Sequence, residues 1–430
     1  MMVTANLLAP DPSLPYRDEL LDVSGMRERL SSLLVGGTDS RIGSLAAARV
    51  NYSAGRTVRA VYRAEIDGVT QTIAARMFAA TAKSGDVYRR SLPHSAPVAS
   101  LRGVVHDGSI SSVFWVFPND RKIGSLEAAM HPSLSARAIH TRSTVSTRLV
   151  AYAPEKAATL VCEAADKRAI AYLKVSADDQ ALRDRDTYDA LRSRLDTRDT
   201  ALRLPAPLAF SNRRRTLWLE AIDGRRIAAS LGDEVEIADL ERLGAAVAVF
   251  HRLAAPGVPP FDRFSPPHLA ADAALIRLVR PDVGVAVDTL AARLIKAAVA
   301  DRDLACLHGD LHPKNAIACG DRMALIDVES AAMGPAAADL GSLLAGLVYR
   351  RETGRLSPDA FRARGHACLA GYASRRRLPS AASLAWHTAA ALFRERAARA
   401  VKRIRPLGLQ SMPALLSAAE HLLDRGLEAL

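Results

Sequence analysis

The chain has 430 residues, of which 49% are hydrophobic and 24% charged, and a formal net charge of +12. This composition is that of a globular protein with a sizeable core, and the length favours two or three domains. The basic residues are spread along the chain among acids, and aromatic residues make up only 5%, which argues against a nucleic-acid-binding surface. A basic surface also suits a small anionic ligand.

Neither a targeting segment nor a membrane span is expected. The amino-terminal residues lack the basic start and long apolar core of a signal peptide, and no apolar run reaches the length of a membrane span. The cysteines contain no CxxC pair, so neither a zinc site nor a disulfide framework is predicted; they are Cys162, Cys306, Cys319 and Cys368. We therefore expect a cytoplasmic protein with no membrane or nucleic-acid partner. The oligomeric state stays unknown.

The first part of the chain is predicted to be a helix followed by strands. The helix is expected over 17–35, "RDELLDVSGMRERLSSLLV". Beyond residue 46, alternating Val, Tyr, Ala and Thr around a glycine-containing turn predict a hairpin, and "TIAARMF" predicts a third strand.

This strand pattern returns about a hundred residues later. "RVNYSAGRTVRAVYRAEI" aligns with "RLVAYAPEKAATLVCEAA", so that Tyr52 meets Tyr152 and Arg76 lies near Lys174. The similarity predicts two related β-rich modules, at 40–145 and 145–222. Next come a charged helix, "DDQALRDRDTYDALRSRL", and two strands, "LAFSN" and "RTLWLEAI". From about residue 235 the pattern is mostly that of amphipathic helices.

The stretch 307–330, "LHGDLHPKNAIACGDRMALIDVES", concentrates polar residues between short apolar runs. Pro313 prevents a regular helix, so Asp310 and Asn315 are expected on one loop. "NAIAC" and "MALID" predict a hairpin that returns Asp327 toward Asn315. An amide oxygen and a carboxylate suit Mg²⁺, which prefers oxygen ligands, and Asp310 stays free to orient and deprotonate a hydroxyl. Phosphoryl transfer also needs a cation for the donor phosphates, and Lys174 in the apolar strand "AYLKV" is the candidate.

Several of these motifs resemble the aminoglycoside phosphotransferase and choline kinase-like family. The resemblance lies in "HGDLHPKN" followed by "LIDVES", in "GPAAADLGSLLA", and in "LGAAVAVFHRL", and it covers roughly 145–400. It implies an α+β, bilobal protein-kinase-like fold with a β-rich N-lobe and a helical C-lobe. The domains expected are a cap-like α+β domain at 1–144, the N-lobe at 145–222 and the C-lobe with the catalytic loop at 223–430.

The resemblance also implies roles for single residues. Asp310 resembles the catalytic aspartate, and Asn315 and Asp327 resemble the ligands of Mg²⁺. Lys174 is expected to contact the phosphates of ATP. The backbone of the hinge "LEAI", which includes Glu220 and Ile222, is expected to pair with the adenine. Lys156 is a further candidate for contact with a phosphate.

Four further residues are expected to support this site. His308 is expected to brace the loop, and Asp339 to hold it in place. Glu329 is expected to support the metal ligands. For His312 two interpretations stay open: it lines the cleft for the phosphate acceptor, or it hydrogen-bonds backbone.

The sequence departs from the family pattern in three places. The turn expected to cover the phosphates, "YAPEKAAT", contains no glycine, and Lys314 stands where the family often has glycine. The helix after Lys174 contains no glutamate to pair with it, which leaves as substitutes Asp184, Asp186 or Asp189.

The expected function is an ATP-dependent kinase that phosphorylates a hydroxyl of a small molecule. The added amino-terminal domain is similar to that of maltokinase-like sugar kinases, which implies a sugar or aminosugar acceptor. One alternative is an antibiotic phosphotransferase, although a polycationic aminoglycoside needs acids at its cleft, and the helical part is rich in Ala and Arg. The other is a non-catalytic nucleotide-binding protein with the kinase fold.

Overall fold

The computed structural model describes residues 7–35, 41–196, 199–228, 235–254, 257–298 and 303–429. Contacts within the chain divide it into two compact units. The first contains the described residues up to Leu182 together with Leu208–Leu219 and Val401–Ile404, and the second contains Arg183–Pro207, Glu220–Ala400 and the residues from Arg405 onward. Within the described ranges no helix has both the length and the apolar character needed to cross a bilayer. The domain boundaries after residues 144 and 222 stay predictions.

The first unit begins with two short helices and a five-stranded sheet. The helix predicted over 17–35 is interrupted at Asp22, whose carboxylate caps the second helix by accepting from two of its free backbone N–H groups. The sheet has the order β1-β2-β3-β5-β4. The bounds are α1 Arg17–Leu21, α2 Val23–Leu34, β1 Ile42–Ser53, β2 Thr57–Ile66, β3 Val69–Phe78, α3 Thr81–Ser91, β4 Val104–Asp107 and β5 Ser112–Val116.

A second five-stranded sheet of the first unit has the order β6-β7-β8-β11-β10. This is the order of the first sheet: a three-stranded meander, then the last strand of the module, then the one before it. The bounds are α4 Leu126–Met130, α5 Pro132–Ala138, β6 Val145–Ala153, β7 Ala157–Ala164, β8 Ala169–Ser176, β10 Pro207–Ser211 and β11 Thr216–Glu220. Helix α6, Gln180–Arg192, follows β8 along the chain and belongs to the second unit from Arg183 onward. The internal repeat predicted from the sequence is thus confirmed at the level of topology.

The two hairpin turns also share their hydrogen bonds. The hydroxyl of Tyr52 donates to the carboxylate of Asp11 (2.7 Å), and that of Tyr152 donates to Asp120 (2.6 Å). The backbone N–H three residues after each tyrosine donates to the same carboxylate, at 2.8 Å in both turns. Each turn is therefore held by hydrogen bonds to one aspartate that precedes the strands of its meander in the sequence, and one buried tyrosine shares that aspartate.

The register of the strands makes Arg76 the counterpart of Lys174. Arg76 on β3 lies opposite Arg59, and Lys174 on β8 lies opposite Thr159. Arg59 and Thr159 are each the third residue of the second strand of their meander. The first module thus carries an arginine at the position where the second carries the predicted phosphate-binding lysine.

One hydrophobic cluster joins the two sheets of the first unit. It takes inward-facing side chains from both meanders, as the alternating apolar pattern of the strands requires. Its largest members are Trp115, Tyr152 and Trp218, which are all less than 6% exposed. Buried apolar area contributes roughly 25 cal/mol per Å² to stability. The shared cluster therefore holds the two modules together as one compact unit.

The second unit is mainly helical. Its small sheet has the order β12-β14-β15-β9, and β13 pairs with β16 in an antiparallel ladder. The strands are β9 Leu202–Arg203, β12 Arg225–Arg226, β13 Leu304–Leu307, β14 Ala316–Cys319, β15 Arg322–Leu325 and β16 Ala332–Pro335. The helices are α7 Ile237–Phe250, α8 Pro266–Val279, α9 Gly284–Lys296, α10 Ala337–Glu352, α11 Pro358–Ala373, α12 Ala381–Ala391, α13 Arg399–Arg403, α14 Pro406–Gln410 and α15 Met412–Arg425.

Two features of the second unit matter for the site. Helix α7 buries Leu240, Leu243, Val247 and Phe250, which recur at helical spacing and seat the helix in the core. Between α12 and α13 the residues Leu392–Ala398 form a π-helical segment. The predicted α+β class, with a β-rich first part and a helical second part, is confirmed.

Candidate active site

The loop after β13 is fixed by Asp339, in the first turn of α10. Its carboxylate accepts from the backbone N–H of His308 (2.6 Å) and of Gly309 (3.0 Å). His251, at the end of α7, bridges Asp339 (3.1 Å) and the hydroxyl of Tyr372 (2.9 Å). Burial alone raises the pKa of Asp339, but the hydrogen bond from His251 and nearby charges outweigh it and lower that pKa. Asp339 is therefore an ionised acceptor that holds the loop.

Gly309 is required by the path of this loop. Its φ is +74°, in the left-handed region that favours glycine, and a Cβ atom there would lie 2.0 Å from the carbonyl oxygen of Ser330. The loop therefore passes against the backbone of the segment after β15 with no space for a side chain.

The ring of His308 braces the loop from inside. Its Nε2 lies 2.9 Å from the carbonyl oxygen of Ile326, and its Nδ1 accepts from the backbone N–H of Asp310 at 3.3 Å. The carbonyl can only accept, so Nε2 carries the proton and Nδ1 is the acceptor. Because both ring nitrogens are used and the residue is fully buried, the geometry favours the bracing role over a reactive one.

Asn315 and Asp327 lie at the adjacent ends of β14 and β15. Ala316 pairs with Leu325, and the N–H of Ile326 donates to the carbonyl of Asn315 at 2.9 Å. The Asn315 Nδ2 donates to the carbonyl of Asp310 at 3.1 Å, which leaves Oδ1 as the ligand atom of that amide. Asp327 has φ 59° and ψ 46°, a left-handed conformation that the following short helical turn accommodates.

The donor atoms of this pair fit Mg²⁺. Amide and carboxylate oxygens are hard ligands, and Mg²⁺ needs few protein ligands because it keeps waters and phosphate oxygens in its shell. Groups of three or more His, Cys, Asp or Glu residues suited to a metal do not occur in the described ranges. A site with two protein ligands, Asn315 and Asp327, is compatible with that finding.

Asp310 itself is accessible, with 37% of its side chain exposed, and one carboxylate oxygen lies 3.7 Å from Nε2 of His312. Burial lowers the pKa of His312 to about 4, although Asp310 opposes the shift. The Nδ1 of His312 is buried and has no hydrogen-bond partner among the described residues. His312 is therefore neutral near pH 7, beside the carboxylate.

Glu329 and Lys314 flank the two predicted metal ligands. Glu329 accepts a long hydrogen bond, 3.4 Å, from the hydroxyl of Tyr188 on α6. Lys314 is half-buried, and burial and then the nearby Arg405 and Arg399 lower its pKa, with Asp310 and Asp327 opposing. The candidate site therefore contains cationic groups as well as the carboxylates of Asp310 and Asp327.

In the first unit, Lys174 lies on β8 and is half-buried. The turn before β7 includes Lys156, whose N–H donates to Ala153 (3.0 Å) and whose carbonyl accepts from Ala177 (2.9 Å). The missing glycine is replaced by Glu155, which adopts φ 62°. A positive φ in a residue other than glycine is rare and indicates that the surroundings impose it.

Three arginines from the first module surround the carboxylate of Glu155. Arg121 lies 2.7 Å away and Arg59 3.2 Å away, and Arg76 makes a closer ion pair. The glutamate side chain is only 5% exposed. Sequence reasoning missed this contact, which we call the Glu155 clamp, because the arginines are distant along the chain and carry no motif.

The predicted hinge uses part of its backbone within the protein. The N–H of Glu220 donates to the carbonyl of Ala206 (2.8 Å), and its carboxylate accepts from Arg203 (2.5 Å) and from the N–H of Ala206 (3.1 Å). Glu220 therefore offers its carbonyl oxygen rather than its N–H. Ile222 follows outside the strand and is partly exposed.

The acids on α6 differ in burial. Asp184 is 4% exposed, whereas Asp186 is largely exposed and pairs with Arg185 at 2.6 Å. Asp184 is thus the interior member of the three acids considered as partners of Lys174.

Residues 165–378 match the phosphotransferase enzyme family, APH. This region of the chain belongs to that family. The match includes Lys174 and the whole loop from His308 to Asp339, and it establishes the chain as a small-molecule phosphotransferase, which confirms the predicted enzyme class. No curated protein matches the chain at a significant level.

Solved structures with similarity to the chain include three phosphotransferases. Spectinomycin phosphotransferase APH(9)-Ia with ADP and spectinomycin has a TM-score of 0.49 and 10% identity, covering 71% of this chain and 98% of that one. Choline kinase from Cryptosporidium parvum has a TM-score of 0.48 and 10% identity, covering 65% and 90%. The streptomycin–ATP complex of APH(2")-IIa has a TM-score of 0.45 and 16% identity, covering 66% and 94%. Since these TM-scores are below 0.5, the family assignment rests on the match over residues 165–378.

Proposed function

We propose that this phosphotransferase uses ATP and Mg²⁺ to phosphorylate a hydroxyl of a small molecule, with Asp310 as the catalytic residue. The observation that carries the proposal is the anchored loop. Asp339 and His308 hold its backbone, so the Asp310 carboxylate stays accessible while Asn315 and Asp327 emerge from neighbouring strand ends. Such positioning matters because catalysis of phosphoryl transfer consists largely of orientation and charge stabilisation.

In the proposed reaction, Asp310 accepts the proton of the acceptor hydroxyl. The hydroxyl oxygen forms a bond to the γ-phosphorus of ATP, the bond between that phosphorus and the bridging oxygen breaks, and ADP leaves. Asn315 and Asp327 hold Mg²⁺, which when bound offsets negative charge on the phosphates. His308 acts through the position of the loop and does not react.

The remaining predicted residues bind the nucleotide in this proposal. Lys174 contacts the phosphates, and Lys156 is a further contact from its turn. The Glu220 carbonyl accepts from the adenine amine and the Ile222 N–H donates to the ring, which agrees with the use of the Glu220 N–H by Ala206.

We propose a sugar or aminosugar as the acceptor, since an added amino-terminal domain is also carried by the maltokinase-like sugar kinases to which the sequence bears a resemblance. An aminoglycoside acceptor is disfavoured because Lys314 and Arg396 interact electrostatically with Asp310 and add positive charge near it, whereas a polycation needs acids.

The proposal is tested with Asp310→Asn and with Mg²⁺ titrations. Wild type is expected to gain thermal stability from ATP only when Mg²⁺ is present and to release ADP with a sugar acceptor. Asp310→Asn is expected to retain the stabilisation by Mg²⁺ and ATP and to lose ADP release by at least about 100-fold, in the range of a general base.

The non-catalytic alternative makes a different prediction. A binding protein with the kinase fold would give equal, slow ATP hydrolysis in wild type and Asp310→Asn, with every acceptor tested. Absence of any effect of Mg²⁺ on nucleotide binding would contradict the assignment of Asn315 and Asp327.

A further inference from the structure

The π-helical segment Leu392–Ala398 carries three charged residues, two of which are paired. Arg394 lies 3.5 Å from Asp272, and Glu395 lies 3.0 Å from Arg263. Segments of this kind are rare and occur often at functional sites. The third charged residue, Arg396, is in a different situation.

Arg396 is a buried cation whose acceptors are neutral. The residue is 8% exposed, and its guanidinium donates to the carbonyl oxygen of Ser342 (3.0 Å) and, more weakly, to that of Glu395 (3.4 Å). No described carboxylate forms an ion pair with it. A buried charge without a counter-charge is costly, and burial accordingly lowers the pKa of this arginine.

A small cavity lies against this guanidinium. It has a volume of about 30 Å³, and apart from His312, Ser342, Arg350 and Arg396 its lining residues are apolar, among them Leu347. Gly346 leaves space for the arginine, because a Cβ atom there would lie 3.1 Å from the terminal nitrogen Nη2. Since a single water needs roughly 10–15 Å³ of such volume, the cavity fits a group of two oxygen atoms.

The cavity adjoins the proposed catalytic residue. His312 lines it and also lies 3.7 Å from the carboxylate of Asp310. Lys314 and Arg399 add positive charge to this surface. Of the acids whose charge acts on Arg396, Asp310 is committed to catalysis and Glu395 to Arg263.

We propose that this cavity binds a carboxylate group of the acceptor, so that the substrate is an acidic hydroxyl compound such as a sugar acid. The inference rests on the proposed function and narrows its acceptor class. The carboxylate would provide the counter-charge that Arg396 lacks, and it would orient the hydroxyl toward Asp310.

The first experiment measures binding without nucleotide, with acetate as the probe. Acetate replaces chloride at constant ionic strength while the melting temperature is followed. Wild type is expected to show a saturable increase that Arg396→Gln lacks and Arg396→Lys partly retains. Gly346→Ala keeps Arg396 but places a methyl group against its guanidinium. The melting temperature of this variant is therefore also expected to rise less with acetate than that of wild type. Arg362→Gln, an exposed arginine paired with Asp359, is the matched control and should respond as wild type.

The second experiment compares D-glucose, D-glucosamine and D-glucuronate as acceptors in an assay of ADP release. The acidic sugar is expected to have the highest kcat/KM, and Arg396→Gln is expected to lower that value at least about tenfold, equivalent to 1.4 kcal/mol. Preference for glucosamine, or equal acetate responses in wild type and Arg396→Gln, would overturn the inference. If wild type itself shows no Mg²⁺-dependent binding of ATP, that result would contradict the proposed function and not this inference.

Discussion

Replacement of Glu155 by alanine tests whether the Glu155 clamp joins the two modules of the first unit. The carboxylate is 5% exposed, whereas Arg59, Arg76 and Arg121 are 16–27% exposed. Removing one partner of a buried ion pair costs about 3–5 kcal/mol, and the partial exposure of the arginines reduces the electrostatic part. We therefore expect a loss of about 2–4 kcal/mol in the free energy of unfolding of this unit.

Three arginines left around an empty position account for part of this loss. The Nε of Arg76 is already buried without a hydrogen-bond partner among the described residues. The variant would also remove the ion pair of Arg76 with Glu155. A loss of about 3 kcal/mol corresponds to a fall of about 6–12 °C in the melting temperature of a unit of this size.

The assay is denaturant unfolding followed by tryptophan fluorescence, since Trp115 and Trp218 both lie in the core of the first unit. The control is Asp86→Asn, which removes an exposed ion pair with Arg89 and should cost less than about 0.5 kcal/mol. If Glu155→Ala is destabilised no more than Asp86→Asn, the clamp does not stabilise the unit.

The clamp also predicts a dependence of stability on pH. Burial raises the pKa of Glu155, but Arg76, Arg121 and Arg59 outweigh it and lower that pKa below its ordinary value. A lowered pKa in the folded state stabilises the protein above the unfolded-state pKa of about 4.3, and that contribution is lost as the pH falls through the folded-state pKa. The stability difference between wild type and Glu155→Gln should therefore shrink as the pH is lowered below about 4.3, and a difference that is constant down to acid pH would contradict it.

Three other changes act on the loop of the candidate active site. Gly309→Ala should abolish turnover and destabilise the second unit in thermal unfolding, because its Cβ would collide with the Ser330 carbonyl 2.0 Å away; a fully active variant would contradict the described loop path. Asp339→Asn should cost about 2–4 kcal/mol in denaturant unfolding, because the N–H groups of His308 and Gly309 donate to different carboxylate oxygens and the variant replaces one of these oxygens by an NH2 donor; an unchanged midpoint would show that the loop is held otherwise. Asp327→Asn should raise the Mg²⁺ concentration needed for half-maximal stabilisation by ATP at least about tenfold, the effect of about 1.4 kcal/mol, and an unchanged value would exclude Asp327 as a ligand.

The sequence was most informative where short-range pattern decides structure. The two meanders follow from alternating apolar residues, and the hairpin between Asn315 and Asp327 follows from apolar runs around a glycine-containing turn. Pro313 correctly indicated that the polar stretch is not a regular helix; only a short helical turn occurs there. The repeat was detectable because both turns retain the tyrosine that anchors them.

Contacts between residues distant along the chain were not predictable in this way. The arginines around Glu155 lie up to 96 residues from it, and nothing in their neighbourhoods marks them as partners. The Ala- and Arg-rich sequence near residue 395 predicts an ordinary amphipathic helix, on which an arginine is expected to face solvent. The burial of Arg396 depends instead on the π-helical geometry and on the missing side chain at Gly346.

The shared anchoring of the two turns limits how the polypeptide can be shortened. A fragment beginning at residue 145 would retain Tyr152 and Glu155 but lose Asp120 and all three arginines that contact them. The turn that contains Glu155 would then have no support for its left-handed residue, and this fragment should unfold at a lower temperature than the 430-residue chain.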